Sequence, residues 1–313
     1  ATIIAAVFII AYTMLAGLLS VAYTDAANSI IMTLALIISL PILWIKAGSW
    51  SGMETAFAAM NKSQHMQFGG VYSAMDIINF CLPPFLLVIG DANMYQRFSA
   101  SKDVQSARYS TTILVFAVLF IELLIIVSAW VSSSMIPEAE VGKHVLIYAA
   151  HQFLPTFLGA IMLTTIVGII ISTADSFLLV PANTLIRDIY LNYINPQASE
   201  KNIVRLSRLL VLLLGIIAYI VSIGFSRSAG FFERALYAYT IYGAAITPAL
   251  VAALFWKGAT KEGAVSSIIC GILVTLFWKE LPGLWLWLPT EWYISLDEVL
   301  PAISGSLLAL ICV

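Results

Sequence analysis

The sequence predicts an all-helical integral membrane protein, and three observations support that prediction. Of the 313 residues, 61% are hydrophobic and only 10% are charged, whereas soluble domains carry about 25% charged residues. The apolar residues form continuous runs of about 20 residues, the length that a helix needs to cross a bilayer, and not the alternating segments of a membrane β-barrel. The formal net charge of −2 argues against a nucleic-acid partner.

Eight apolar runs are predicted to span the lipid bilayer, and a ninth is predicted to do so in part. The eight are residues 2–22, 26–45, 71–95, 109–134, 155–187, 204–225, 232–255 and 262–280, and the partial run is 300–313. The first run starts at once without an initiator methionine, and the last one breaks off at the final residue. We therefore expect the chain to be a fragment of a longer membrane protein.

The basic residues between these runs lie in two alternate sets of loops. Nine of the fifteen fall in one set, namely Arg97, Lys102, Arg108, Arg187, Lys201, Arg205, Arg208, Lys257 and Lys261. Cytoplasmic loops carry an excess of Lys and Arg, so this set is predicted to face the cytoplasm of a multi-pass protein in the plasma membrane. The Trp-rich segment 281–295 is predicted to lie at the outer interface, where the amphipathic indole ring is stabilised.

Two consecutive prolines, Pro83 and Pro84, lie in the middle of the run 71–95. They remove two backbone donors, and carbonyl groups freed in lipid must find other partners or line a cavity. A span broken at membrane depth is typical of transporters with central binding sites. The alternative is a simple proline kink packed by neighbouring helices, and the sequence leaves both open.

Asp175 is the acid that lies deepest in an apolar context. On a helix, four of its neighbours share one side: Ile169, Ser172, Thr173 and Ser176. Adjacent hydroxyls with a carboxylate are hard oxygen ligands that suit a small cation, so this cluster predicts a Na⁺ site. The alternative is that the hydroxyls bond back to carbonyls of their own helix and allow close helix packing.

Two further acids lie at the ends of predicted spans. Asp25 precedes the run 26–45, and it is predicted either to cap that helix or to face the hydroxyl cluster. Asp91 lies near the cytoplasmic end of the run 71–95. We expect Asp91 to pair with Arg97, and the alternative is a contact with a transported solute.

Four stretches around these residues resemble motifs of the sodium:solute symporter family. They are residues 16–25, 91–103, 171–190 and 248–263. Their order and spacing agree with the family over nearly the whole chain. The resemblance implies a LeuT-type fold of inverted five-helix repeats within a single transporter domain. On that map, core helices four and five would be residues 2–45, core helices six to ten 71–255, and the peripheral helices 262–313.

The resemblance also implies a set of ion-binding residues. The main sodium site would be formed by the carbonyl of Ile169 and the side chains of Ser172 and Thr173. A second site, for sodium or a proton, would be formed by Asp25, Asp175 and Ser176. Asp175 departs from the family pattern, because the members compared have a hydroxyl there, and this leaves the ion stoichiometry open.

The resemblance further implies a substrate path that includes Leu87, Asp91 and Thr240. Leu87 and Thr240 stand where sugar transporters have an aromatic gate and a sugar-binding glutamine, so a glucose-like substrate is disfavoured. A small organic solute such as an amino acid, a carboxylate or a polyol is expected. The implied function is not enzymatic: it is sodium-coupled symport by alternating access. The alternative is a symporter-like sensor domain of a signalling protein, which binds solute without accumulating it.

Overall fold

The computed structural model describes residues 2–15, 18–67, 69–70, 72–137, 144–225, 231–278, 297 and 299–313. Within these residues all regular elements are helical. Seven helical segments are long and apolar enough to cross a membrane, and the apolar helices at 3–15 and 299–312 are shorter. The predicted all-helical membrane class is thus confirmed. The predicted Trp-rich interfacial segment 281–295 lies outside the described residues.

The α-helices are numbered in chain order. They are α1 (Thr2–Leu15), α2 (Leu18–Lys46), α3 (Ser49–Ala59), α4 (Ala74–Gly90), α5 (Ala92–Ser99), α6 (Val104–Ser133), α7 (Val145–Gln152), α8 (Thr156–Thr184), α9 (Glu200–Phe225), α10 (Phe231–Phe255), α11 (Lys261–Trp278) and α12 (Val299–Cys312). A 3₁₀ turn, Ser63–Met66, follows α3. A π-helix, Leu185–Ile194, continues α8.

The chain divides into two compact units. The first unit comprises residues 1–70 and 96–222, and the second comprises residues 71–95 and 223–313. In the first unit, α2 packs against α6 and α8, α7 contacts α6 and α8, and α1 contacts α8. In the second unit, α10 packs against α4, α11 and α12, and α11 also packs against α12.

Small residues bring the helices of the second unit close together. A Cβ atom at Gly271 in α11 would lie 2.8 Å from the carbonyl oxygen of Ala244 in α10. Between α11 and α12, the buried hydroxyls of Ser267 and Ser306 are hydrogen-bonded at 2.7 Å. Lipid tails are as apolar as a leucine side chain, so close van der Waals packing and such hydrogen bonds stabilise the contacts between these helices.

The boundary predicted between the first two runs is wrong. We expected a break at residues 23–25, but α2 is continuous from Leu18 to Lys46. Asp25 therefore lies inside a helix, and the prediction that it caps one is also wrong. The polar residue Thr24 does not end the helix because its hydroxyl lies 2.9 Å from the carbonyl oxygen of Val21 and bonds back to it.

The helices α1 and α2 are not collinear. The hydroxyl of Tyr12 in α1 donates a hydrogen bond of 3.0 Å to the hydroxyl of Thr24 in α2. Twelve residues of one straight helix would separate these positions by about 18 Å. The two helices therefore run in different directions, and α2 begins at Leu18, eight residues before the predicted start at residue 26.

Helix α4 continues through Pro83 and Pro84, which corresponds to the proline-kink alternative. The break in the helix lies instead at Asp91, which has an extended backbone conformation (φ −68°, ψ 110°) between α4 and α5. The carboxylate oxygen Oδ1 of Asp91 accepts hydrogen bonds from the backbone and side-chain nitrogens of Asn93, at 3.0 and 2.8 Å. Asp91 therefore acts as the N-terminal cap of α5, and the predicted Asp91–Arg97 pair is wrong.

Hydroxyl groups of α10 satisfy backbone groups on both sides of this break. The hydroxyl of Thr247 donates a hydrogen bond of 2.6 Å to the carbonyl of Leu86 near the end of α4. The backbone N–H of Ala92, at the start of α5, donates one of 3.1 Å to the hydroxyl of Tyr242. Irregular backbone at membrane depth requires such partners, so α10 stabilises the break.

We expect Thr247→Val to reduce the stability of the protein by about 1 kcal/mol, because the shape of the side chain is kept while an interhelical hydrogen bond is lost. Thr240→Val is the matched control. Both threonines are 3% exposed, but the hydroxyl of Thr240 bonds only to the carbonyl of Leu236 in its own helix. Thermal unfolding in detergent should show the larger decrease in Tm for Thr247→Val, and equal decreases would contradict a bridging role.

Candidate functional site

Helix α8 carries the predicted sodium residues in the first unit. Ile169, Ser172 and Thr173 lie near its middle, between Thr156 and Thr184. Ser172 is half-buried, whereas Thr173 and Ile169 are exposed. Ser172 and Thr173 therefore place two hydroxyl groups at adjacent positions of α8, one turn after Ile169, within a segment that is apolar enough to span the membrane.

The hydroxyls of Ser172 and Thr173 differ from other hydroxyls in α8. Those of Thr164 and Thr165 donate hydrogen bonds of 2.8 Å to carbonyls of α8 itself, which is the usual arrangement in apolar helices. Those of Ser172 and Thr173 make no hydrogen bond to any part of the chain that the structure describes. Their oxygen lone pairs are therefore available to an external ligand, which favours the ligand interpretation over back-bonding.

Asp175, only 1% exposed, contacts α1. Its Oδ1 atom accepts a hydrogen bond from the hydroxyl of Thr13. Thr13 is also 1% exposed, and its hydroxyl oxygen lies 2.8 Å from the carbonyl oxygen of Ile9. Thr13 thus satisfies a carboxylate at membrane depth, where an unpaired polar group carries a large free-energy penalty. This partner was not predicted from the sequence, because it lies 162 positions away.

We expect Thr13→Val to destabilise the protein by about 1–3 kcal/mol, since it leaves the buried carboxylate of Asp175 without this donor. Thr165→Val is the matched control, because Thr165 is 4% exposed and bonds only to the carbonyl of Met162 in its own helix. Thermal unfolding in detergent measures the difference. A Tm for Thr13→Val as high as that of the control would show that the Thr13–Asp175 contact adds nothing to stability.

Arg97 joins two residues of the predicted second ion site. One guanidinium nitrogen of Arg97 lies 2.8 Å from Oδ2 of Asp25 and donates a hydrogen bond of 3.1 Å to the hydroxyl of Ser176. The side chain of Asp25 is 15% exposed, whereas that of Arg97 is 45% exposed. Arg97 therefore links Asp25 on α2 to Ser176 on α8, and the positive charge between these two residues is supplied by the protein itself.

The second carboxylate oxygen of Asp25 is unsatisfied. Its Oδ1 atom is buried and has no hydrogen-bond partner among the described residues. A carboxylate with one oxygen paired to a guanidinium and the other buried without a partner is unfavourable in a membrane interior. A buried carboxylate oxygen of this kind is a hard ligand that suits a small cation, and Ser176 contacts the same Arg97 nitrogen as the other oxygen of Asp25.

Asn28 on α2 contacts α8, and this contact was not predicted from the sequence. Its amide Nδ2 lies 3.5 Å from the carbonyl oxygen of Gly168, and a Cβ atom at Gly168 would lie 3.0 Å from the same nitrogen. Glycine at this position thus admits the amide, one helical turn before Ser172. The signal was present in the sequence, because Asn28 follows Asp25 by three residues and lies on the same helix face.

The three predicted substrate-path residues lie in the second unit. Leu87 is half-buried in α4, Asp91 caps α5, and Thr240 is buried in α10 with its hydroxyl bonded to the carbonyl of Leu236. The observed contacts of Asp91 and Thr240 have structural roles within their own elements. The assignment of all three residues to a substrate path stays a prediction.

Comparison with known proteins identifies the class of membrane protein that has these features. A model of the sodium:solute symporter family matches residues 1–271. The chain belongs to the sodium:solute symporter family, which confirms the resemblance seen in its motifs. Because the relatives are symporters, the expectation that the chain is not an enzyme is consistent with its family.

Individual relatives agree with this membership. A sodium/proline symporter of Haemophilus influenzae is 26% identical and is matched over 97% of this chain and 61% of its own length. An osmoregulated proline transporter of Bacillus subtilis is also 26% identical, over 86% of this chain and 55% of its own length. The chain therefore spans little more than half the length of these relatives.

A solved structure supports the fold. A Na⁺-coupled sialic acid symporter in a substrate-bound, outward-open state has a TM-score of 0.69 to this chain at 16% sequence identity. The match covers 99% of this chain and 66% of that one. The chain thus shares the fold of that structure, the LeuT-type fold that the motifs implied.

Proposed function

We propose that the protein is a sodium-coupled symporter, which moves a small organic solute across the plasma membrane by alternating access. The observation that carries this proposal is the pair of adjacent hydroxyls, Ser172 and Thr173, which do not bond back to their own helix within the described residues. Family membership supports the same conclusion. The proposed domain is a single transporter domain with its second repeat at residues 71–255.

In the proposed main site, Na⁺ is held by the carbonyl oxygen of Ile169 and the hydroxyl oxygens of Ser172 and Thr173. A helical carbonyl has a second lone pair besides the one used in its helix bond, so Ile169 can contribute without breaking α8. All three ligands are uncharged oxygens, so the occupied site carries the full positive charge of the ion, and the membrane potential acts on that charge. No His or Cys ligand is required, which suits an alkali cation better than a transition metal.

The proposed second site, for sodium or a proton, includes Asp25, Asp175 and Ser176. Its support is the buried Oδ1 atom of Asp25, which has no partner among the described residues, and the Arg97 nitrogen that contacts both Asp25 and Ser176. In this proposal the guanidinium of Arg97 neutralises Asp25 when the ion is absent, and it moves away when an ion binds. A ligand shifts a conformational equilibrium only through such a difference in affinity between states.

The transported solute is proposed to be a small organic molecule that is unlike glucose. Its proposed path includes Leu87, Asp91 and Thr240. Relatives at 24–26% identity are named as proline symporters, which favours an amino acid as the first candidate. The driving force is ample, because a membrane potential contributes about 2.3 kcal/mol per charge per 100 mV. This energy corresponds to about a fiftyfold concentration ratio for each coupled sodium ion.

Uptake by the purified protein in proteoliposomes tests the proposed function. The panel contains radiolabelled proline, a small carboxylate, a polyol and glucose, each with an inward Na⁺ gradient and with the same gradient of K⁺. We expect accumulation of one small solute that requires Na⁺ and is enhanced by an inside-negative potential. Na⁺-dependent binding without accumulation would support the sensor alternative instead, and accumulation in K⁺ alone would overturn sodium coupling.

A further inference from the structure

An open groove lies in the first unit, in the corner between the end of α5 and the start of α6. Its volume is about 540 Å³. Its lining includes Phe98, Val104, Arg108, Thr112, Val115 and Phe116. None of these residues belongs to the proposed ion sites or to the proposed substrate path, so the groove requires a separate explanation.

Hydrogen bonds fix the corner that forms the groove. In the connection between α5 and α6, the backbone N–H of Ser101 donates to the carbonyl of Phe98 at 3.1 Å. The carboxylate of Asp103 accepts a hydrogen bond of 2.7 Å from the backbone N–H of Ser106 at the start of α6. The connection is therefore short and well supported, and the groove is formed before any ligand binds, which lowers the entropic penalty of binding.

One end of the groove is positively charged. Arg108 is the only charged residue in its lining, and its guanidinium makes no ion pair or hydrogen bond within the described part of the chain. Exposed Lys102 lies in the adjoining connection. The one acid there is Asp103, whose carboxyl pKa is lowered by the hydrogen bond from the Ser106 backbone, and its negative charge is directed at the start of α6.

The other end of the groove is apolar and faces outward. Val115 and Phe116 are 51% and 70% exposed, and they lie about three turns along the apolar span that begins at Val104. The distribution of basic residues places the Arg108 end of this span in the cytoplasm. The groove thus runs from a cation at the inner membrane interface to an apolar wall in the bilayer.

We propose that this groove binds a phospholipid with an anionic headgroup from the cytoplasmic leaflet, with its phosphate on Arg108 and an acyl chain along Val115 and Phe116. A guanidinium offers a planar pair of donors that matches phosphate oxygens. The negative surface of the cytoplasmic leaflet attracts basic residues near the membrane. The apolar wall selects a lipid over a free phosphate or a soluble peptide.

A lipid in this groove would also affect α5. Phe98, on the groove wall, directly follows Arg97, which holds Asp25 and Ser176. A bound lipid that packs against Phe98 stabilises the position of α5 and hence of the Arg97 guanidinium. This consequence for transport rests on the proposed function, whereas lipid binding itself does not.

Native mass spectrometry of the delipidated protein, titrated with phosphatidylglycerol or phosphatidylcholine, tests the proposal. We expect the unmodified protein to prefer phosphatidylglycerol, and Arg108→Gln to weaken its binding by about fivefold. Thr112→Trp keeps the charge but fills the groove, and it should weaken binding as well. The matched control is Arg208→Gln, which removes an exposed cation from α9 and should leave binding unchanged.

Three results would overturn the proposal: no preference for the anionic lipid, an Arg108→Gln variant that binds like the unmodified protein, or an equal loss for Arg208→Gln. Full competition by millimolar inorganic phosphate would show that the groove binds phosphate without the lipid. Circular dichroism and Tm establish that each variant is folded. Because the readout is lipid binding, a failure of Na⁺-driven uptake leaves this test unaffected, and the two proposals fail independently.

Discussion

The double substitution Ser172→Ala/Thr173→Ala is expected to abolish sodium-stimulated uptake while leaving the protein folded. Two of the three proposed ligands of the main site are lost, and the carbonyl of Ile169 alone cannot replace the hydration shell of Na⁺. The effect on stability should be small, because neither hydroxyl is hydrogen-bonded within the described residues. The loss of function therefore separates ion binding from folding.

The measurement is initial-rate uptake in proteoliposomes as a function of external Na⁺, together with Tm in detergent. The matched control is Thr164→Ala/Thr165→Ala, which removes an adjacent pair of hydroxyls two turns earlier in α8. Both control hydroxyls bond back to their own helix, so this variant should keep its sodium dependence. An unchanged Na⁺ dependence in Ser172→Ala/Thr173→Ala would rule out the proposed main site.

Each single variant should retain part of the function. Loss of one hydroxyl leaves a site with one fewer oxygen ligand, so the Na⁺ concentration for half-maximal uptake should rise while the maximal rate survives at high Na⁺. Thr173→Ser, which keeps the hydroxyl and removes a methyl group, should resemble the unmodified protein. This graded series distinguishes a ligand role from a packing role, since packing would make the size of the side chain decisive.

Features of the fold that arise from local composition could be predicted from the sequence. Continuous apolar runs imply spanning helices because lipid leaves the backbone few other ways to satisfy its hydrogen bonds. The cluster at Ser172, Thr173 and Ser176 was predictable for a similar reason, since helical periodicity alone determines which side chains share a face. The break at Asp91 was missed because the two prolines suggested a break at Pro83–Pro84. Helix α4 instead continues through both prolines, and the local sequence does not indicate this.

The contacts between helices could not be predicted in the same way. Asp25 and Arg97 are 72 positions apart, and Thr13 and Asp175 are 162 apart, so no local pattern records either pair. The carboxylate of Asp91 is nearer to Arg97 in the sequence, but it already accepts two hydrogen bonds from Asn93. The arginine is left for Asp25, whose side chain is only 15% exposed and whose charge is stabilised by a partner.

Removal of the guanidinium at Arg97 is expected to strengthen cation binding at the proposed second site. In Arg97→Gln, the carboxylate of Asp25 loses its ion-pair partner and becomes available to Na⁺ on both oxygens. The pair is partly exposed, at 45% for Arg97 and 15% for Asp25, so its strength is about 1 kcal/mol. The Na⁺ concentration for half-maximal uptake should therefore fall by about fivefold.

A double-mutant cycle makes this test specific. Asp25→Asn should raise the Na⁺ requirement, and Arg97→Gln should have no further effect when Asp25→Asn is present, because the competing pair no longer exists. Arg97→Lys retains a positive charge and should lie between the unmodified protein and Arg97→Gln. Lys102→Gln is the matched control, since it removes a neighbouring exposed cation without contact to Asp25.

The direction of the change identifies the role of Arg97. If the arginine competes with the ion, its loss lowers the Na⁺ requirement; if it instead holds Asp25 in place for the ion, its loss raises that requirement. A positioning role would also make the effects of Arg97→Gln and Asp25→Asn equal in sign, whereas competition makes them opposite. Binding of ²²Na⁺ to the detergent-solubilised variants measures the same difference without transport, and a higher Na⁺ requirement in Arg97→Gln would overturn competition.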